Sequence, residues 1–154
     1  MPYYRSILSM SFFAFSLLLS PVAHASYDSS GIKEGAIEDN YHQTLGHIEN
    51  DGTISNSYHQ TVGHIEKDGT IGDRYHQTIG HVEEDGTIGD SYHQTVGHVE
   101  EDGAIENNYH QTIGYLEQDG TVTDNYHQTV GHVPPGAKGA AFELLTHFFQ
   151  KHHG

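Results

Sequence analysis

Cysteine is absent from the 154 residues, so the chain forms no disulfide and must obtain its order in another way. Basic residues are scarce: six lysines and arginines stand against 21 acidic residues, for a formal net charge of −15. Such an acidic chain is a poor partner for nucleic acid or anionic lipid surfaces. Apolar residues make up only 34% of the sequence, which argues against a large conventional core.

The first 25 residues differ from the rest and have the order of a secretory signal peptide. Arg5 precedes an apolar run from Ile7 to Leu19, and Ala23-His24-Ala25 supplies the small residues typical of a cleavage site. The run is too short and too rich in serine for a transmembrane anchor. We therefore predict cleavage after Ala25, a secreted or periplasmic protein, and no integral membrane span in the mature chain.

The predicted mature chain keeps all 21 acidic residues but only five basic ones, which gives a formal charge of −16. It also holds 14 of the 15 histidines. An unperturbed histidine titrates near pH ~6.5, so full protonation would bring the charge to about −2. We expect acidification to remove most of the electrostatic self-repulsion of the chain.

Tyrosine recurs at an unbroken spacing of 17 residues, and each copy continues with His-Gln-Thr. The six copies begin at Tyr41, Tyr58, Tyr75, Tyr92, Tyr109 and Tyr126. A fixed period of this kind indicates a repeat architecture. A degenerate half copy, Gly31 to Asn40, precedes the six copies, and the pattern stops at Pro134-Pro135-Gly136. We assign residues 26–133 to a β-repeat domain and residues 134–139 to a linker.

Two stretches of each unit predict tight turns. Glu83-Glu84-Asp85-Gly86-Thr87 suits a type I turn followed by a left-handed glycine, which would place Val82 opposite Ile88. Asp90-Ser91-Tyr92-His93-Gln94 has the same layout with His93 in the place of the glycine, and would put Ile88 opposite Val96. Histidine is among the few non-glycine residues that adopt positive φ with some frequency.

Each unit therefore predicts two short strands, and the domain is predicted to be an all-β meander of short β-hairpins. The alternative is a β-solenoid, in which equivalent residues stack at about 4.8 Å instead of lying roughly 9.6 Å apart. The two turns per unit favour the meander. Ile79 and Val82 can share a face only if Gly80 forms a bulge, and stability must come from neighbouring units. The strict register of the apolar residues argues against disorder.

The unit resembles the secreted bacterial β-hairpin repeats with the pattern Asp-x-x-Gly-x-x-Ile-Gly-x-Ile-x-x-Asp-Gly-x-Ile-x-Asp. The stretch from Asp73 to Asp90 has this spacing, with His76 in place of the first glycine. The resemblance covers about Asp28 to Val133 and implies runs of β-hairpins. It implies no enzymatic activity, because that family has none assigned.

Residues 140–153 have the pattern of a short amphipathic helix. Five apolar side chains fall within one arc of about 160°: Phe142, Leu144, Leu145, Phe148 and Phe149. We expect this helix to cover an open face or end of the sheet. The alternatives are dimerisation or docking on a partner.

The sharpest chemical feature is a repeated His-x-Glu pair. Residues two apart on a strand share a face, so each pair would point an imidazole and a carboxylate the same way. These groups suit zinc, copper or nickel, although pairs about 9.6 Å apart are too distant to share one ion. The candidate metal ligands are His47, Glu49, His64, Glu66, His81, Glu83, His98 and Glu100. Tyr115 and Pro134 interrupt the pattern.

Six near-identical copies on a narrow sheet offer no single preorganised pocket, so we predict that the protein is not an enzyme. The sequence favours a secreted repeat protein with an extended acidic, histidine-rich surface for interaction, adhesion or assembly, sensitive to pH. A protein partner or self-association is expected. The alternative function is divalent metal binding in the periplasm or outside the cell. No cofactor is assigned with certainty.

Overall fold

A computed structural model describes residues 32–151, and the predicted signal peptide lies outside these residues. Twelve short strands are followed by two short helices. The strands are β1 (Gly35–Asp39), β2 (Thr44–Ile48), β3 (Thr53–Asn56), β4 (Thr61–Ile65), β5 (Thr70–Asp73), β6 (Thr78–Val82), β7 (Thr87–Asp90), β8 (Thr95–Val99), β9 (Ala104–Asn107), β10 (Thr112–Leu116), β11 (Thr121–Asp124) and β12 (Thr129–His132). The helices are α1 (Lys138–Thr146) and α2 (Phe148–Lys151).

The strands form one closed ring in which each strand pairs with its neighbours in sequence. The first and last strands close the ring as an antiparallel pair, with Glu38 opposite His132 and Asp39 opposite Gly131. Pairing between consecutive strands confirms the predicted meander of hairpins and excludes the solenoid. Closure also leaves no unpaired strand edge, which removes the usual route to edge-to-edge aggregation.

The two predicted turns are present, and they alternate between the two ends of the ring. In the glycine turn of the reference unit, Gly86 N–H donates to the Glu83 carbonyl at 3.0 Å and Gly86 has φ 95°. In the tyrosine turn, His93 N–H donates to the Asp90 carbonyl at 3.1 Å and His93 has φ 61°. The histidine therefore takes the left-handed conformation that the sequence comparison between the two turns predicts.

The register agrees with prediction on one side of β7 and differs on the other. Val82 lies opposite Ile88, as expected. Ile88, however, lies opposite Gly97, so the predicted pairing with Val96 is wrong by one residue. The tyrosine turn puts Thr95 opposite Gly89, which leaves Val96 as an extra residue in a β-bulge.

The same bulge occurs beside Gly80, where the sequence predicts one. Thr78 lies opposite Gly72 and Gly80 opposite Ile71, so Ile79 has no partner. The bulge brings Ile79 and Val82 to the same side of the sheet, and both pack against the core. Residues three apart on a regular strand point to opposite faces, and the bulge is what allows Ile79 and Val82 to share one face.

The inner face of the ring carries the core, and the C-terminal segment supplies its centre. Ile88, Ile105, Val122 and Val99 from the strands are almost fully buried, together with Phe142 of α1. Around them lie buried Ile71, Val133, Ala137, Ala141 and Phe149 in one contiguous cluster. The helices thus pack inside the ring, against its inner face.

The size of the ring explains how a helix fits inside. Twelve strands spaced by about 4.8 Å give a circle roughly 18 Å across before any tilt, and an α-helix with its side chains needs about 10–12 Å. A glycine on each even-numbered strand leaves further room for the helices inside the ring. The helical side chains of Phe149, Phe142, Leu145 and Leu144 contact Gly80, Gly97, Gly114 and Gly131 respectively.

The segment predicted as one helix over residues 140–153 forms two helices, and α1 begins earlier, at Lys138, within the predicted linker. Residues 152–153 lie outside the described residues. His147 separates the two helices, because it has φ 50° and ends α1 in a left-handed conformation. Its N–H donates to the Glu143 carbonyl at 2.8 Å. The bend brings Phe148 and Phe149 into edge-to-face contact, with ring centroids 5.4 Å apart. Within residues 32–151, neither helix has the length and apolar character needed to cross a membrane.

Because α1 forms the centre of the core, removing one of its aromatic rings should destabilise the whole ring. We predict that Phe142→Ala lowers the free energy of unfolding by about 3–5 kcal/mol, measured by urea denaturation. The matched control is Tyr109→Ala, since Tyr109 is 76% exposed and its loss should change stability by less than about 0.5 kcal/mol. Equal losses for the two variants would contradict the position of α1 inside the core.

Candidate functional site

Six tyrosines form a regularly spaced circle at one end of the ring, which we call the tyrosine rim. Each lies in a tyrosine turn, and their exposed fractions range from 69% to 81%. The rim consists of Tyr41, Tyr58, Tyr75, Tyr92, Tyr109 and Tyr126. Tyrosine combines a large apolar ring with a polar hydroxyl, and it is enriched in binding surfaces.

Each tyrosine of the rim is held by a rigid turn. In the reference turn, one oxygen of the Asp90 carboxylate accepts N–H groups from Tyr92 at 2.8 Å and Gln94 at 2.9 Å. Asp39, Asp73 and Asp124 make the same two hydrogen bonds in their own turns, as do Asn56 and Asn107. The backbone under every rim tyrosine is therefore ordered before any partner binds.

In the glycine turns at the opposite end, an aspartate side chain also accepts a backbone N–H group. Asp85 accepts the N–H of Thr87 at 2.9 Å, and this hydrogen bond holds the pKa of the Asp85 carboxyl below its usual value. The hydrogen bonds from the equivalent threonines lower the pKa of Asp51, Asp68 and Asp119 in the same way. These aspartates are fully exposed, so they carry negative charge at this end at neutral pH.

The two histidines of a unit belong to different parts of the surface, and neighbouring units bring them together. The turn histidines have φ between 58° and 61° and are His42, His59, His76, His93, His110 and His127. The strand histidines lie on the outer face and are His47, His64, His81, His98 and His132. The strand histidine of one unit stacks on the turn histidine of the next: ring centroids are 4.0 Å apart for His64–His76 and 3.9 Å apart for His81–His93.

The closest stacks occur where the neighbouring strand has glycine. His64 lies opposite Gly72 and His81 opposite Gly89, so there is no side chain between the two imidazoles. Thr123 is opposite Tyr115, and the Tyr115–His127 centroids are farther apart, at 4.8 Å. Glycine on the adjacent strand therefore allows the closest approach of the two rings.

Where the neighbouring strand has glutamate, the turn histidine contacts that carboxylate. His110 Nδ1 lies 3.3 Å from Glu106, and His42 Nδ1 lies 3.1 Å from Glu38. His42 also stacks on His132 across the strands that close the ring, with centroids 4.4 Å apart. The His42–His132 stack was not identified from the sequence, because it depends on which strands are adjacent. The histidine–glutamate contacts join residues four apart in one turn and were also missed.

Each predicted His-x-Glu pair combines a half-buried histidine with an exposed glutamate. The histidines, His47, His64, His81 and His98, are half-buried on the strands, whereas Glu49, Glu66, Glu83 and Glu100 are exposed where the glycine turns begin. Among these pairs, His98 and Glu100 make an ion-pair contact at 3.7 Å. His98 also lies 3.3 Å from the Thr87 hydroxyl. In the part of the chain that the structure describes, no group of three or more histidine and acidic side chains is positioned to hold a metal ion.

The closed ring of hairpins has a counterpart among known protein families. A family model described as 5-fold beta-flower protein matches residues 33–150. The chain belongs to the 5-fold beta-flower family. No curated protein and no solved structure matches it.

Membership of the beta-flower family confirms a β-repeat protein. The family is not a known enzyme family. This beta-flower ring contains six tyrosine turns but five glycine turns with left-handed glycine, Gly52, Gly69, Gly86, Gly103 and Gly120. The sixth position at that end is where the chain enters β1 and leaves β12.

Sequence reasoning assigned the turn histidines to backbone geometry alone and missed their contacts. The signal was present: glycine occupies the left-handed position of every glycine turn, whereas all six tyrosine turns have histidine there. Glycine adopts this conformation without steric strain. Histidine in all six copies therefore indicates that the imidazole itself contributes to the surface.

The left-handed backbone predicts a specific order of stability at position 93. His93→Gly removes the stack on His81 but relieves the backbone, whereas His93→Ala removes the stack and keeps the strain. We expect His93→Gly to be more stable than His93→Ala by about 1 kcal/mol in urea denaturation. The control is Gly86→Ala, which should destabilise more than either, because its Cβ would collide with the Val99 carbonyl. An alanine variant as stable as the glycine variant would contradict the strain.

Proposed function

We propose that this beta-flower protein is a non-enzymatic interaction protein whose tyrosine rim is the contact surface for a protein partner or a second copy of the chain. The observation that carries the proposal is the exposure of six tyrosines, 69% to 81%, in equivalent positions around one end of the ring. Aromatic side chains at such exposure are the residues that most often supply binding energy in interfaces.

The rigidity of the turns supports this role. Each rim tyrosine follows a carboxylate or amide that already accepts two backbone N–H groups, so little backbone entropy is lost when the rim binds. A tyrosine side chain also has few rotatable bonds, which lowers the cost of immobilising it. Binding by such a surface requires small adjustments of side chains rather than folding of a loop.

The number of copies supports multivalent binding. Six near-identical turns can contact several equivalent sites at once, and each additional contact occurs at a high effective concentration. A partner with repeated or symmetric features would therefore bind more tightly than one tyrosine could explain. Six equivalent positions around a ring suit this role better than catalysis, which needs one preorganised pocket.

Charge makes the proposed contact sensitive to pH. The predicted mature chain has a formal charge of −16, and two copies would repel each other at neutral pH. Protonation of its 14 histidines brings this charge to about −2. Acid therefore lowers the repulsion that opposes self-association. Export to the periplasm or the cell exterior, as residues 1–25 predict, forms part of this proposal.

The test measures self-association as a function of pH. We expect sedimentation velocity to show a monomer at pH 7.5 and concentration-dependent association at pH 5. Replacing all six rim tyrosines with serine should abolish the association and leave the fold intact. The matched control is Asn50→Ser with Gln118→Ser, two exposed, uncharged positions in the glycine turns. A wild-type monomer that is unchanged at pH 5, or association that survives loss of the rim, would contradict the proposal.

A second candidate function is divalent metal binding, and the stacked histidines favour it. The stacks His64–His76 and His81–His93 bring two imidazoles within about 4 Å, so a site there has one more nitrogen donor than the His-x-Glu pair alone. Imidazole is a ligand for zinc, copper and nickel. Glu66 and Glu83 begin the glycine turns that follow the two strand histidines.

Calorimetry with zinc chloride at pH 7.5 tests this second function. We expect saturable micromolar binding that is largely lost when His64 and His81 are both replaced by asparagine. His127→Asn is the matched control, because its stacking partner is Tyr115 and the pair holds only one imidazole. Absence of saturable binding, or equal loss in the control, would exclude metal binding by the stacked pairs.

A further inference from the structure

The inside of the ring holds a cavity of about 650 Å³ beside the helices. Its wall comes mainly from the first six strands and from one side of α1 and α2. Most of the lining is apolar and includes Leu45, Ile54, Val62, Ile65 and Leu144. A volume in this range, with an apolar wall, is typical of sites for small molecules.

The repeat provides an internal comparison that shows why this space exists. The even-numbered strands each carry one equivalent glycine, six in all, and four of these glycines contact a side chain of the helices. Gly46 and Gly63 are the remaining two, and their nearest neighbours belong to the adjacent strands. Both line the cavity. The helices therefore fill the ring on one side and leave equivalent room on the other.

The bulge residues show the same asymmetry. Ile79, Val96, Ile113 and Val130 occupy the bulge position in four units, and all pack against the core. The equivalent residues in the first two units, Leu45 and Val62, line the cavity and are 47% and 46% exposed. Large aliphatic side chains with this exposure on an inner wall indicate a surface that an apolar group would cover.

One carboxylate oxygen on the cavity side of α1 is buried without an established partner. Glu143 Oε1 has no hydrogen bond of good geometry within residues 32–151. Glu143 Oε2 accepts the N–H of Phe149 at 2.8 Å, and the amides of Gln150 lie near the same carboxyl group. Burial raises the pKa of Glu143. Buried polar atoms without partners are uncommon, and a ligand group that donates hydrogen bonds would satisfy them.

We propose that this cavity binds a small amphipathic amine. Its hydrocarbon body would lie along Leu45 and Val62, over Gly46 and Gly63, and its ammonium group would donate to Glu143. An amine fits better than a fatty acid, because the wall carries Glu143 and Asp73 and the chain as a whole is strongly acidic. Arg74 and His147 are the two basic residues among the residues that line this space. Tyr75 of the tyrosine rim also lines it, but the proposed contacts do not involve this tyrosine.

The first experiment measures binding of N-phenyl-1-naphthylamine by its fluorescence, with the full mature chain. This probe has an apolar body and one N–H donor. We expect saturable binding, displacement by dodecylamine below its micelle-forming concentration, and at least tenfold weaker displacement by dodecanoate. Equal competition by dodecanoate would overturn the assignment of the amine group, and absence of saturable binding would overturn the site.

Variants then locate the site. Val62→Trp should fill the cavity and weaken probe binding at least tenfold, whereas Gln118→Trp, which adds the same side chain to an exposed glycine turn, should leave it unchanged. Leu45→Trp serves as the filling variant if Val62→Trp does not fold, as judged by its unfolding midpoint. Probe binding that is unaffected in the folded filling variant would overturn the proposal.

Glu143→Gln tests the role of the carboxylate. Loss of a charge-assisted hydrogen bond should weaken dodecylamine about tenfold or more, while the neutral probe should change by less than threefold. Glu117→Gln is the matched control, since it removes one negative charge from an exposed glycine turn. A Glu143→Gln variant that binds dodecylamine as tightly as the control would overturn the pairing between amine and carboxylate.

Discussion

The contact between the C-terminal helices and the glycines on the inner face is the interaction on which the rest of the structure depends. A ring of short strands with few apolar residues cannot build a core from its own side chains. Glycine on the even-numbered strands lets Phe142 and Phe149 reach the backbone of the ring, and the buried isoleucines and valines then close around them. Because these glycines have no side chain, a side chain of the helices fills the space that a strand side chain would otherwise occupy.

This arrangement also breaks the symmetry of the repeat. The helices are a single, non-repeated segment inside a ring of six equivalent units, so they cannot contact all units alike. Four units contact the helices through their inner glycine, and the two units that contain Gly46 and Gly63 do not. Near-identical sequences consequently have different environments, and a cavity forms where the helices are absent.

The outer face and the two ends differ from the interior, because they keep the symmetry of the repeat. The tyrosine turns present six equivalent aromatic side chains on backbones that are already ordered. On the outer face, single differences between units change the local chemistry. Glycine on the neighbouring strand allows the closest stacking of two imidazoles, whereas glutamate there also contacts the turn histidine. The symmetric outside suits multivalent contacts, and the asymmetric inside suits one small ligand.

The sequence by itself determined the strands, both turns, the left-handed histidine and the bulge beside Gly80, because each depends on contacts within about 17 residues. It misplaced the partner of Ile88 by one residue, since propensities do not show which residue a bulge leaves unpaired. Only the tertiary structure decided that β1 pairs with β12, that the helices lie inside, and that His81 stacks on His93. These features depend on the curvature that closes twelve strands into a ring. Curvature is the sum of small twists and bulges over the whole sheet, and no single unit specifies it.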